Sequence, residues 1–141
     1  MREALTRIKS ERLGASILAV MPSSTSYSAL TRDISTQLAA FRGDLPAVMK
    51  GFSELSKASL CGGALSEKTK ELIALALGVA AHCDGCLGFH AKALARLGAT
   101  RAEVEEALAV AVYMGGGPSL MYSANAMTAF AEFTQTPEIR S

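Results

Sequence analysis

The 141-residue chain lacks an excess of charge of either sign, since 14 Lys and Arg residues stand against 13 Asp and Glu residues. A basic surface that could bind phosphates is therefore not expected, and neither is nucleic-acid binding. Charged residues make up 19% of the chain and hydrophobic residues 50%, which excludes extended disorder and favours a buried core. The length is that of one domain.

A long hydrophobic run is also absent. The most apolar stretch, residues 72–81, is about half of the roughly 20 residues that a membrane-spanning helix needs. The apolar patch at residues 15–21 follows a segment that contains Glu3 and Glu11, and acidic residues in that position argue against a signal peptide. We therefore expect a cytoplasmic protein that has no membrane segment.

Alternating, β-branched segments typical of strands are missing as well, whereas apolar residues recur at helical spacing from Tyr27 onward. Glycine and proline breaks divide this pattern and predict an all-α domain of five to seven helices. Ser66 is a suitable N-cap for a helix that is apolar almost all round, which should make it central and buried. Residues 1–25 are expected to form an arm or a separate helix, and residues 26–141 a single helical domain.

Cysteine is scarce, and three residues are a poor basis for a disulfide scaffold. Cys61 is interpreted as a small apolar residue. Cys83 and Cys86 form a Cys-x-x-Cys pair, which in a reducing compartment is catalytic or metal-binding. Together with His90 they follow i, i+3, i+7 spacing, which predicts one face of a helix. At the start of that helix, free N–H groups and the helix dipole would favour a Cys83 thiolate.

Glu71 is the fourth candidate, because a carboxylate within an apolar helix needs a partner and His90 would be a suitable one. Such a pair would let His90 take a proton from Cys86, and the sequence thus predicts a reversible dithiol/disulfide site. Two alternatives stay open from the residues alone. One is a zinc site formed by the two cysteines and His90 with Glu71 or His82, and the other is an inert cysteine pair beside a core histidine.

The full pattern of Glu71, eleven residues, Cys-x-x-Cys, three residues and His90 resembles the signature of the AhpD-like, carboxymuconolactone decarboxylase superfamily. The resemblance runs over about residues 45–133 and includes the segments at 65–71 and 97–108. It implies an AhpD-like helical bundle that assembles into homotrimers or homohexamers. Part of the apolar surface is expected at such an interface, and its candidates are Tyr113, Met114, Met121, Tyr122, Met127 and Phe130.

The resemblance also implies a role for each site residue, as in the alkylhydroperoxidase branch of the superfamily. Cys86 would attack a peroxide oxygen or a partner's disulfide, and Cys83 would resolve the resulting sulfenic acid. His90 and Glu71 would form a proton relay, with a water between His90 and Cys86. No metal or organic cofactor is implied, and the reductant would be an external dithiol, either a lipoyl-bearing protein or a thioredoxin-like donor.

One position departs from the pattern, because some members carry a histidine or aromatic residue immediately before the second cysteine, where this chain has Gly85. That departure leaves open how strong a peroxidase activity would be. The founding decarboxylases lack the cysteine pair, so a cofactor-free lyase with Glu71 and His90 as acid and base is an alternative function. A non-enzymatic redox-responsive or metal-binding module is another.

Overall fold

The computed structural model describes residues 26–135, so the predicted arm at residues 1–25 lies outside the described residues and the predicted domain division stays a prediction. The described part consists of helices and contains no strand, which confirms the predicted all-α class. The helices are α1 (Tyr27–Asp44), α2 (Pro46–Leu60), α3 (Glu67–Ala80), α4 (Asp84–Arg96) and α5 (Arg101–Gln135). None of these helices is long and apolar enough to cross a membrane.

The start of α3 has the side-chain cap that the sequence predicts. The hydroxyl of Ser66 accepts a hydrogen bond from the backbone N–H of Thr69 at 3.1 Å. This bond satisfies one of the N–H groups that a helix start leaves without a partner.

A capping box opens α5. The Glu103 carboxylate accepts the N–H of Thr100 at 2.7 Å, and the Thr100 hydroxyl accepts the N–H of Glu103 at 3.2 Å. Lys68 of α3 also donates to Glu103 at 2.6 Å. The hydrogen bond from Lys68, followed by that from Thr100, lowers the pKa of Glu103 to about 2.

The long helix α5 is broken once along its length. Gly116 has φ 67° and ψ −150°, values outside the helical region that glycine adopts without a steric penalty. Pro118 follows, where the second half of the helix begins. The predicted chain break at the glycine run is confirmed, and it turns α5 into two segments that can pack separately.

The core lies between α3, α4 and α5. Leu75 and Val79 of α3 and Leu87 and Leu94 of α4 are fully buried, and Phe130 of α5 is 4% exposed. Because these three helices share one core, the residues on their facing sides are held in fixed relative positions. The candidate site lies on two of them.

Helix α1 crosses α4 at a point of close backbone approach. A Cβ atom at Gly88 would come within 2.6 Å of the Thr31 Cγ2 atom. The start of α1 is fastened to α5, because the Glu132 carboxylate accepts the N–H groups of Tyr27 and Ser28, each at 2.9 Å. The first contact places α1 against the helix that carries the cysteine pair, and the second joins α1 to α5.

The expectation that α3 is buried all round is wrong. Leu75 and Val79 have no exposed surface, but Ile73 is 46% and Leu77 is 64% exposed. Large apolar side chains are also exposed on α1, α2 and α5; they include Leu38, Phe41, Val48, Phe52, Leu55, Tyr113, Met114 and Met121. Periodicity predicts which residues share a helix face, but it does not show whether the same chain covers that face.

Candidate active site

The site is built around the turn that joins α3 to α4. Ala81 is the C-cap of α3 and Cys83 is the N-cap of α4, so only His82 separates the two caps. The N–H of His82 donates to the carbonyl of Val79 at 3.1 Å, and the N–H of Cys83 donates to the carbonyl of Gly78 at 3.0 Å. This pair of bonds, with His82 at φ 53°, forms a Schellman motif.

The two cysteines lie at the beginning of α4, as the sequence predicts. The Sγ atom of Cys83 accepts the backbone N–H of Cys86 at 3.2 Å, so the sulfur caps the helix. A disulfide joins Cys83 to Cys86, with their Cα atoms 5.2 Å apart. An N–H group directed at sulfur favours a thiolate over a thiol when the pair is reduced.

Gly78 is a site residue that the sequence reasoning missed. A Cβ atom at this position would lie 3.1 Å from the Cβ atom of Cys86 and 3.8 Å from its carbonyl carbon. Helix α3 therefore approaches α4 directly behind the second cysteine, and a larger residue would require one of the two helices to move. A glycine inside a strongly apolar helical pattern was the available signal for such a contact.

The predicted contact between Glu71 and His90 is present. Oε2 of Glu71 lies 2.7 Å from Nδ1 of His90. Glu71 is buried, since the residue is 5% exposed. A buried carboxylate is stabilised by such a donor, and Nδ1–H donation leaves Nε2 of the neutral ring as an acceptor.

The pair suits proton transfer at the thiols. Cys86 and His90 are one helical turn apart on α4, which brings their side chains to the same face. A base oriented by a carboxylate beside a potential nucleophile is the arrangement that activates thiols and hydroxyls in enzymes. The roles of Glu71, Cys83, Cys86 and His90 as catalytic residues stay predictions.

A cleft of about 530 Å³ reaches Glu71 from the side of α1 and α2. Its wall includes Glu67, Glu71 and Cys61. Cys61, interpreted above as a small apolar residue, is exposed and has a free thiol. Arg42 and Lys57 place two cations on the same wall.

Gly85, where the chain departs from the pattern of some relatives, is explained by α1. A Cβ atom at Gly85 would lie 3.0 Å from the Cδ1 atom of Ile34. A histidine or aromatic side chain there would displace Ile34. The glycine thus allows α1 to cover the position before the second cysteine.

His82 is exposed and lies directly before Cys83, between α3 and α4. Its ring stacks on that of Tyr122, with centroids 4.6 Å apart and planes at 25°. Between residues 26 and 135, no group of three or more His, Cys, Asp and Glu side chains could hold a metal ion.

Comparison with known proteins bears on this arrangement. A model of the carboxymuconolactone decarboxylase family matches residues 46–129, more than half of the chain. The chain belongs to this family. The resemblance to the AhpD-like superfamily noted in the sequence is thereby confirmed.

Two uncharacterised proteins are similar to this chain in sequence. One, from Cupriavidus necator, is 41% identical over 98 residues, which cover 70% of this chain and 87% of that protein. The other, named for its place in a cox locus of Paracoccus denitrificans, is 36% identical over 81 residues, 57% of this chain and 73% of that protein.

A solved structure has a similar fold. It is the crystal structure of the apo form of a carboxymuconolactone decarboxylase family protein from Legionella pneumophila, 58% identical to this chain. The match has a TM-score of 0.76 and covers 77% of this chain and 97% of the other. The helical architecture described above is therefore that of the family.

Proposed function

We propose that the protein is a thiol-dependent oxidoreductase that reduces a peroxide or a disulfide by cycling Cys83 and Cys86 between dithiol and disulfide. One observation carries the proposal. The buried Glu71 carboxylate lies 2.7 Å from Nδ1 of His90, and His90 follows Cys86, which forms a disulfide with Cys83, by one helical turn. Membership in the AhpD-like superfamily supports the same chemistry.

The first step oxidises Cys86. Nε2 of His90, directly or through a water, takes the proton of the Cys86 thiol, and the resulting thiolate attacks one peroxide oxygen. The oxygen–oxygen bond breaks, Cys86 becomes a sulfenic acid, and the leaving alkoxide takes the proton from His90 and departs as an alcohol. The Glu71 carboxylate stabilises the imidazolium that exists between these two transfers.

The second step forms the disulfide. The Cys83 sulfur attacks the sulfenic sulfur of Cys86, the sulfur–sulfur bond forms, and the hydroxyl leaves with the Cys83 proton as water. An external dithiol, from a lipoyl-bearing protein or a thioredoxin-like donor, then reduces the pair and is itself oxidised to a disulfide. With a disulfide substrate, the Cys86 thiolate attacks sulfur instead, and Cys83 releases the substrate's second thiol.

The test counts thiols in a Cys61→Ser background, so that the exposed third thiol does not contribute. A reduced sample given a mild peroxide pulse should lose two thiols per chain. In Cys83→Ser the sulfenic acid at Cys86 should persist and react with dimedone, whereas Cys86→Ser should keep its remaining thiol. If Cys86→Ser lost its thiol as fast as the parent, the assignment of Cys86 as nucleophile would be wrong.

A cofactor-free lyase is the second candidate, favoured by one feature of the site. The hydrogen bond between Glu71 and His90 does not involve either sulfur, so the pair could serve as acid and base without them. A Cys83→Ser, Cys86→Ser double variant separates the two functions. Turnover of a lactone acid by this variant, abolished by His90→Ala, would favour the lyase over the oxidoreductase.

A further inference from the structure

The same backbone turn ends both α3 and α4, but with different residues at its left-handed position. After α4, the N–H of Gly98 donates to Ala95 and that of Ala99 donates to Leu94, with Gly98 at φ 69°. After α3, His82 takes the place of the glycine at φ 53°. Among residues 26–135, His82 is the one non-glycine residue with positive φ.

A histidine at this position needs an explanation, because glycine adopts the left-handed conformation without a clash at Cβ. The ring provides one. The imidazole of His82 stacks on the phenol ring of Tyr122, which lies in the second segment of α5. The turn between α3 and α4 is thereby attached to a third helix, an attachment that glycine could not make.

The stack of His82 on Tyr122 affects the position of Cys83, the first cysteine of the pair. Cys83 donates its N–H to Gly78 as the last residue of the turn, and its Sγ accepts from Cys86 as the cap of α4. No residue separates His82 from Cys83. The backbone angles at His82 therefore set the direction in which the Cys83 side chain leaves the turn.

We propose that His82 is a positioning residue for the dithiol/disulfide pair, and that its stack on Tyr122 holds Cys83 where it can bond to Cys86. The inference rests on the proposed function for the use of the pair. His82 touches neither substrate nor reacting sulfur and acts through Cys83. By limiting the conformations of the reduced turn, the stack raises the effective concentration of the Cys83 thiol at Cys86.

The experiment measures the equilibrium between the protein dithiol and oxidised glutathione, which gives the protein disulfide and two glutathione thiols. It uses the full chain in a Cys61→Ser background. His82→Asn removes the ring but tolerates positive φ, and Tyr122→Leu removes the other ring from a different helix. The shift equals the difference between what the stack contributes to the disulfide and to the dithiol form. A lost aromatic contact is worth roughly 1 kcal/mol in all, so each variant should shift the equilibrium toward the dithiol by more than twofold and by up to about fivefold.

Two further variants test the cause. His82→Phe keeps a ring and should restore the equilibrium to within about twofold of the parent. Gly98→Ala places a Cβ atom in the equivalent turn after α4, away from the cysteines. It should lower the melting temperature yet leave the glutathione equilibrium unchanged.

Two further measurements are independent of the single-variant equilibria: the coupling between the two ring substitutions and the lifetime of the sulfenic acid. The two rings act as one contact, so the His82→Asn, Tyr122→Leu double variant should shift the equilibrium no further than either single variant. After a peroxide pulse, the sulfenic acid at Cys86 should persist longer in both single variants and give more dimedone adduct.

The two proposals fail in different ways. A parent protein that forms no bond between Cys83 and Cys86 in oxidised glutathione would contradict the proposed function. A parent that forms the disulfide, with His82→Asn or Tyr122→Leu within twofold of it, would overturn the role of His82 alone. If His82→Asn does not fold, Tyr122→Leu decides the question.

Discussion

At residue 71 a carboxylate that is 5% exposed receives its hydrogen bond from a histidine on the neighbouring helix. A buried charge without such a donor would be costly, so the two residues stabilise each other as well as the site. The bond also determines which ring nitrogen of His90 is available, because Nδ1 is engaged with the carboxylate. The hydrogen bond from Nδ1 to Oε2 of Glu71 therefore leaves Nε2 as the ring nitrogen that can accept a proton from a thiol.

Glu71→Gln is expected to slow the oxidation of Cys86 by peroxide on the order of 100-fold, since a neutral amide cannot stabilise the imidazolium. The amide can also donate to Nδ1, which would place the ring proton on Nε2. The measurement is the single-turnover rate of thiol loss in the Cys61→Ser background.

The matched control is Glu67→Gln, one turn earlier on α3. Glu67 pairs with Arg96 at 2.7 Å, and both side chains are partly exposed to solvent. Its rate of thiol loss should stay within about twofold of the parent. Equal losses of rate in the two variants would assign the effect to general negative charge rather than to the bond with His90.

The contact between Glu71 and His90 and the place of the cysteine pair at the start of α4 could be predicted from the sequence, and the residues that support them could not. Cys83, Cys86 and His90 are marked by spacing, because helical geometry converts spacing into a shared face. Glu71 is marked as a carboxylate within an apolar helix. Gly78 and the left-handed angle at His82 depend on how closely α3 approaches α4 and on where Tyr122 lies. Both depend on tertiary structure, and the glycine within the apolar pattern of α3 is the one local signal for the first.

At the scale of helices, the contact between α1 and α4 depends on the absence of one methyl group. Gly88→Ala would place a Cβ atom 2.6 Å from Cγ2 of Thr31, a buried residue. We expect the variant to lose about 1–3 kcal/mol of unfolding free energy in urea titrations.

Thr31→Ser should rescue Gly88→Ala, because serine lacks the Cγ2 atom but can keep the hydroxyl bonds to the carbonyls of Tyr27 and Ser28. The control is Gly51→Ala on α2, where a Cβ atom meets nothing within 4 Å. That change should stabilise by about 0.5–1 kcal/mol. If serine at position 31 gave no rescue, the close contact would not be the source of the cost.

The cap of α5 should make stability depend on pH in acid. The pKa of Glu103 falls from 4.5 to about 2 in the folded protein, so folding favours its charged form. The resulting stabilisation is complete above about pH 4.5 and is lost as the pH falls toward 2. Glu103→Gln should therefore be less stable than the parent at pH 7, with the difference shrinking across that window.

Urea titrations between pH 7 and pH 2 measure that difference. Glu105→Gln is the control at pH 7, since the bond of Glu105 to Arg101 at 2.7 Å is exposed and lies within one helix. Its unfolding free energy should change by less than about 0.5 kcal/mol. If the difference in unfolding free energy between Glu103→Gln and the parent stayed constant down to pH 2, the proposed coupling between the protonation of Glu103 and folding would be wrong.

The residues at which helices begin were more predictable from the sequence than the burial of the helices' apolar faces. Ser66, Thr100 and Glu103 mark helix starts because capping is a local interaction between residues three apart. The exposure of Ile73 and Leu77 on α3 could not be predicted, because an apolar face has the same sequence pattern whether its cover comes from this chain or from another.

At the scale of the whole molecule, large apolar side chains are exposed on several helices. Tyr113 is 86% and Met114 76% exposed on α5, while Phe52 is 66% and Leu55 64% exposed on α2. Exposed apolar area of this size is typical of a surface that contacts another protein chain. We propose that copies of the chain cover it in a homotrimer or homohexamer.

Light scattering should therefore give a multiple of the 14.7 kDa chain mass. Tyr113→Glu and Phe52→Glu should each shift the population toward smaller species, because a charge on an apolar interface is left desolvated. Gln37→Glu, an exposed polar position on α1, should leave the mass unchanged. A parent that is monomeric at all concentrations would contradict the assembly.

In the oxidised protein, the free thiol of Cys61 is the single cysteine site for covalent labelling. The sulfur atoms of the other two cysteines are joined to each other, so a maleimide dye added to the disulfide form has one target thiol. That target lies on the wall of the cleft that leads to the buried carboxylate. A fluorophore attached there would report on molecules that enter the cleft while leaving the reactive pair untouched.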